Sequence, residues 1–321
     1  MKRSLWAIAF AALALATFAG SANADTKLRV GKAQAGQFAF VPVHVGVETG
    51  IFKQHGLDIE IANFGGDAKL LQALTADGID VALGGGPTIA FVQKGTPMLG
   101  IAALADAPGT IMLVVLKDGP VKTEDDLKGR TVSVSTAGSL TYWLAKELSR
   151  QKGWGNDGFK IAPLGTPAAQ IAALRTGQID GVVTETSSIL RLEEEGVGRV
   201  LVRFRDRVKD FHVHAAFASR KIIDGHPEAI RAFLAGWFES VRWMKDHKEQ
   251  TVEIAARVAD VPKTVAAKNY DEIMPVFSLD GRFKPKALEV LAGSFVEMGL
   301  LPEKPDMSKL YTEQFLPKQQ N

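Results

Sequence analysis

Residues 61–80 lie over residues 161–180 without a gap and share eight identities, where unrelated segments of this composition would share about one or two. The pairs are Ile61 and Ile161, Ala62 and Ala162, Gly65 and Gly165, Ala68 and Ala168, Ala73 and Ala173, Leu74 and Leu174, Ile79 and Ile179, and Asp80 and Asp180. Upstream the match continues with a two-residue shift, from Val30 and Ala35-Gly36 to Val132 and Ala137-Gly138. Each copy reads as strand, glycine-containing loop, helix, strand, loop, helix, Ile-Asp, strand. Two similar α/β lobes are therefore expected.

The remaining pattern agrees with an α/β chain of largely parallel sheets. β-Type runs fall at residues 28–33, 57–63, 80–84, 98–104, 131–136, 159–164, 181–185 and 200–204, with helix-type runs at 41–52, 67–76, 139–151 and 168–176. Beyond Pro227, which suits a first helical turn, the chain reads as mainly helical.

The first 24 residues stand apart. Lys2 and Arg3 precede an apolar run from Leu5 to Gly20, and Ala22-Asn23-Ala24 has the small-x-small form of a signal-peptidase site, so export with cleavage after Ala24 is predicted. Removing Lys2 and Arg3 takes the 38 basic residues to 36, equal to the 36 acidic ones. A balanced chain without basic blocks argues against nucleic acid as a partner. Cysteine is absent, which excludes disulfides, a thiol nucleophile, a thiolate metal site and a lipidated cysteine at the cleavage point. A free periplasmic monomer, not a lipoprotein, is expected.

Facing α/β lobes bind solutes at the C-terminal ends of their strands, where loops enter helices. That rule selects Gln37 and Phe38 after the first strand, and Thr136, Gly138, Ser139 and Thr141 after its counterpart. Gly65 and Thr166 stand in matched loops expected to face each other. Gly85 and Thr88 belong to a glycine-rich turn that lacks the Lys-Ser/Thr of a P-loop and the third glycine of a dinucleotide fingerprint. Glu185 ends a strand, and His214 lies on a strand near the return between lobes, on the same face as His212. The helix start at Ser139 offers donors in a field that favours an anion, although Ser139 also suits a plain N-cap. Glu185 instead suits a solute with an amine or ring N–H, or a cap to the next helix. Phe38 or Tyr142 could wall a flat solute, while Trp143 fits the core.

Several tempting groups read as structural. Asp80 and Asp180 each follow Ile at a strand entry, the end away from the cleft, as turn carboxylates accepting backbone N–H bonds. Ser149-x-x-Lys152 spells a β-lactamase-type motif without partner motifs. Glu193-Glu194-Glu195 reads as a solvated helix face. No metal and no cofactor are expected, because His212 and His214 lack a third ligand and the other histidines are scattered.

Val30-Gly31, Pro42, Glu48-x-Gly50-Ile51-Phe52 and Gly56-Leu57-Asp58-Ile59-Glu60 resemble the opening of the nitrate, sulfonate, taurine and thiamine-precursor group of ABC-transporter substrate-binding proteins. Ala73-Leu74 through Asp80, Gly95-Thr96-Pro97, Asp126 to Val132, and Ala173 to Asp180 resemble later elements of that family in order and spacing. Thr184-Glu185-Thr186 departs from it, since many members carry Pro after the acidic residue. The resemblance implies a type II periplasmic-binding-protein fold whose chain crosses between lobes near residues 105–111 and 212–217. It divides the chain into signal peptide 1–24, first lobe 25–108, second lobe 109–216, and a mainly helical return to the first lobe, 217–321. The implied function is capture of a small solute for a membrane permease, with a sulfonate, taurine, nitrate or related anion expected first. The alternatives are a receptor for a pyrimidine or other heterocycle, a receptor serving a periplasmic sensor, and a dehydratase-like enzyme on the same fold.

Overall fold

The structure is a computed structural model that describes residues 25–318; the expected signal segment, residues 1–24, lies outside the described residues. Ten strands form two five-stranded sheets. The first contains β1 (Thr26–Lys32), β2 (Leu57–Asn63), β3 (Val81–Gly85) and β4 (Met98–Ala105); the second contains β5 (Ile111–Leu116), β6 (Thr131–Val134), β7 (Lys160–Pro163), β8 (Gly181–Glu185) and β9 (Gly198–Arg203); β10 (His214–Ser219) returns to the first. The orders are β2-β1-β3-β10-β4 and β7-β6-β8-β5-β9, so each strand has a counterpart in the same place. The gap-free repeat extends through the helices Asp67–Thr75 and Pro167–Arg175 to the ends of β3 and β8. Gly85 and Glu185 are thereby equivalent positions.

Each sheet is largely parallel, as expected, with four strands in one direction and a single antiparallel strand. β1 is parallel to β2 and β3, but β10 runs antiparallel to β3 and β4; likewise β5 runs antiparallel to β8 and β9. Both odd strands follow a passage between sheets, so no helix precedes them to signal a β-α unit. Residues 111–116 were not among the expected strands for that reason. The first passage separates Ala105 from Ile111. The second runs from β9 to β10 and ends at Val213, whereas residues 212–217 were expected to form it; Ala215 to Ala218 are instead fully paired, buried strand. The passages touch each other through Val213 N–H to Ala105 O at 3.0 Å.

The helix expected at 41–52 is two, Val41–Glu48 and Ile51–Gln54, divided at Gly50 with φ 77°. Pro227–Asp246 buries Phe233, Trp237, Phe238 and Val241, and it packs with Lys248–Ala259 on Val41–Glu48, beside the first sheet. Asp80 and Asp180 do the same job in both lobes. Asp80 Oδ2 accepts the Arg29 N–H at 2.9 Å, and Asp180 Oδ2 accepts the Thr131 N–H at 2.9 Å. Each aspartate N–H returns a bond to the same partner's carbonyl at 2.8 Å. Buried Ser149 donates to the Gly155 carbonyl and accepts from Gly158 N–H, closing a turn.

Candidate functional site

Where the C-terminal ends of β1, β3, β6 and β8 converge, a cavity of about 30 Å³ lies between the sheets. The first lobe supplies Gln34, Gln37, Asp67, Gly85 and His214; the second supplies Ser135, Thr141, Gln170, Thr184 and Glu185. One contact joins the two rims directly. The Gln37 amide donates to Glu185 Oε1 at 2.5 Å and lies 3.0 Å from His214 Nε2. The Thr110 hydroxyl lies 3.2 Å from the same ring nitrogen. Beside this contact, Gln34 donates to the Gly165 carbonyl at 3.4 Å, and Ser187 donates to the Gly36 carbonyl at 3.4 Å.

Two carboxyl groups share the cavity. Glu185 is 7 % exposed, and its Oε2 is buried without a hydrogen-bond partner. Burial pushes its pKa well above the usual glutamate value, and the neighbouring Asp67 charge adds to this. Burial raises Asp67 as well, against the Gly85 N–H at 2.9 Å and the Thr88 hydroxyl, which favour its charged form. Buried His214 is held down to about 3 and is neutral at ordinary pH. No lysine or arginine lines the cavity among the described residues. Lys32 is fully buried nearby in sequence, on the same strand face as Leu28 and Val30. Its ammonium donates to the Ala35 carbonyl at 3.0 Å and to His44 Nε2 at 2.6 Å; burial lowers it to about 8, and burial plus the Lys32 charge lowers His44 to about 4.

Of the residues selected from sequence, Gln37, Gly85, Thr141, Glu185 and His214 line the cavity. Ser139 and Thr141 form a hydroxyl cluster with Ser135 at 2.9–3.0 Å. Ser139 also caps its helix by accepting the Tyr142 N–H. Thr88 stands behind Asp67. Gly65, Thr166 and Thr136 lie at the lobe contact instead, with Thr136 against Gly66 and Thr166 against Gly65. Gly138 faces Leu300, and Phe38 is buried against Tyr270. Glu185 makes no side-chain cap bond to the helix Thr186–Glu194. Trp143 is buried, stacked on Phe211 at 4.4 Å. Asp67 was missed as a site residue because a first-turn aspartate is ordinary helix-start chemistry. Its signal was the repeat, which sets Asp67 opposite Pro167 and leaves its carboxylate unmatched. Among the described residues no group of three or more His, Cys, Asp or Glu is placed to hold a metal. No helix among them is long and apolar enough to cross a membrane.

The sequence profile of the family described as "NMT1/THI5 like" matches residues 37–251. A curated relative from Escherichia coli (strain K12), named provisionally as an aliphatic sulfonates-binding protein, is 26% identical over 314 residues, 92% of each chain. Among solved structures, the alkanesulfonate-binding protein SsuA of Xanthomonas axonopodis pv. citri bound to MOPS superposes with a TM-score of 0.78 at 18% identity, covering 89% of this chain and 98% of that one. The periplasmic nitrate-binding protein NrtA of Synechocystis PCC 6803 superposes with a TM-score of 0.68 at 16% identity, covering 88% and 84%.

Proposed function

This chain belongs to the NMT1/THI5-like family and has the type II periplasmic-binding-protein fold, and on that premise we propose that it is the solute-binding component of an ABC importer. In this reading it works in the periplasm as a monomer after loss of residues 1–24, closes two lobes over a small solute, and presents the closed form to a membrane permease. The observation that carries the reading is the polar cavity at the strand ends of both sheets, sealed by the contact of Gln37 with Glu185 from opposite lobes. A cavity of about 30 Å³ has room for about two waters, so a larger solute enters by parting those side chains and takes over their room. Lobe closure then makes binding and conformation one event.

The names of the relatives put sulfonates and nitrate first among candidate solutes, as the resemblance of the sequence does. The start of the helix Leu140–Gln151, with Ser139 and Thr141 beside the cavity, offers hydroxyl groups to any polar solute. A thermal-shift screen of sulfonates, taurine, nitrate, amines and pyrimidines tests the receptor reading. A solute at about 100 times its Kd should stabilise the protein by about 2.7 kcal/mol. Gln37→Leu should weaken the response to any such solute. A response indifferent to Gln37→Leu, or no response to any solute, would count against this site.

A further inference from the structure

We propose that the solute is a small organic cation, an ammonium or amidinium group held between Glu185 and Asp67, rather than an oxyanion. This rests on the receptor reading and sharpens it. Glu185 Oε2 is a buried acceptor with no partner, in a cavity that Asp67 also lines. An N–H donor of a solute supplies the missing partner. The Gln37 amide already occupies this role at Oε1, so a donor nitrogen is the chemistry the carboxyl accepts here. The other polar groups facing in are acceptors or neutral groups: His214 Nε2, the amides of Gln34 and Gln170, and the hydroxyls of Ser135, Thr141 and Thr184. No side chain of opposite charge is available to an anion in the cavity among the described residues, and the buried Lys32 is directed to Ala35 and His44. Two buried carboxyls are costly as charges without a counter-ion. A cation between them removes that cost, whereas an anion adds to it.

The test uses the protein without residues 1–24 and five probes at millimolar concentration and matched ionic strength: ethylammonium, acetamidinium, ethanesulfonate, nitrate and, as a largely neutral heterocycle, 4-aminopyrimidine. Thermal shift and equilibrium binding are read for wild type, Glu185→Gln and Asp67→Asn. Glu185→Gln removes a buried acid and is expected to fold. Ethylammonium or acetamidinium should stabilise the wild type, with affinity at least tenfold weaker in Glu185→Gln. Ethanesulfonate and nitrate should give no shift. Stabilisation by either anion, or by the heterocycle alone, overturns the cation assignment and leaves the receptor reading standing. Cation binding that is equal in wild type and Glu185→Gln also overturns it. Failure of all five probes, together with failure of the wider solute screen, overturns the receptor reading itself.

Discussion

At the scale of single residues, Glu185 makes its own contribution to how stability depends on pH. Its folded pKa lies above the ordinary value of 4.5, so its contribution is full below that value and is lost as pH rises through the folded one. Asp67 has the same sign. Glu185→Gln should therefore leave the unfolding temperature nearly unchanged at pH 4.5 and raise it at pH 8. The expected gain is about 1–3 kcal/mol, roughly 2–4 °C for each kcal/mol, read by scanning fluorimetry. A gain confined to acid pH would mean that the carboxyl is charged and satisfied. Gln37, Glu185 and His214 were legible in the sequence because strand ends in α/β lobes face the cleft. Lys32 was not recognised as buried, although its alternation with Leu28 and Val30 carried that information. Phe38 misled because a loop aromatic reads equally as a wall for solute or as a core side chain, and here it meets Tyr270.

At the scale of elements, the repeat makes paired predictions. Asp80→Ala and Asp180→Ala each remove a backbone-bonded carboxylate at the entry of the equivalent strands β3 and β8. Each should cost about 1–3 kcal/mol, and the double variant should be additive to within about 0.5 kcal/mol because the sites lie in different lobes. Denaturant titration of the three variants checks this, and strong coupling would show that the lobes share the two turns. The glycine-rich turn after β3 is held differently. A Cβ at Gly86 would lie 1.8 Å from the His212 carbonyl oxygen, on the backbone of the second passage between sheets. Gly86→Ala should thus cost at least ~2 kcal/mol, visible as a lowered midpoint in urea, since neither backbone yields cheaply. The β-α units themselves were legible from periodicity and turns. The strand β5 escaped, and β10 was legible only as a strand at His214 without bounds, because their pairing partners are remote in sequence and no helix introduces them.

At the scale of the molecule, the lobes are also joined away from the cavity. Trp143 of the second lobe donates from Nε1 to Glu297 Oε2 at 3.0 Å, and Arg150 Nη2 reaches the same oxygen at 2.7 Å. Glu297→Ala should weaken solute affinity about tenfold, or ~1.4 kcal/mol, by lowering the closed population without touching the cavity. Small-angle scattering should show that variant expanded relative to wild type; unchanged affinity and dimensions would remove this contact from closure. The measurement that bears most directly on what the chain does combines titration with chemical recovery. Protein without residues 1–24 is titrated calorimetrically with the best solute from the screen, held at equimolar ratio, then denatured, and the solute is identified by mass spectrometry. A receptor binds one solute per chain and returns it chemically unchanged; recovery of a converted product would contradict that function.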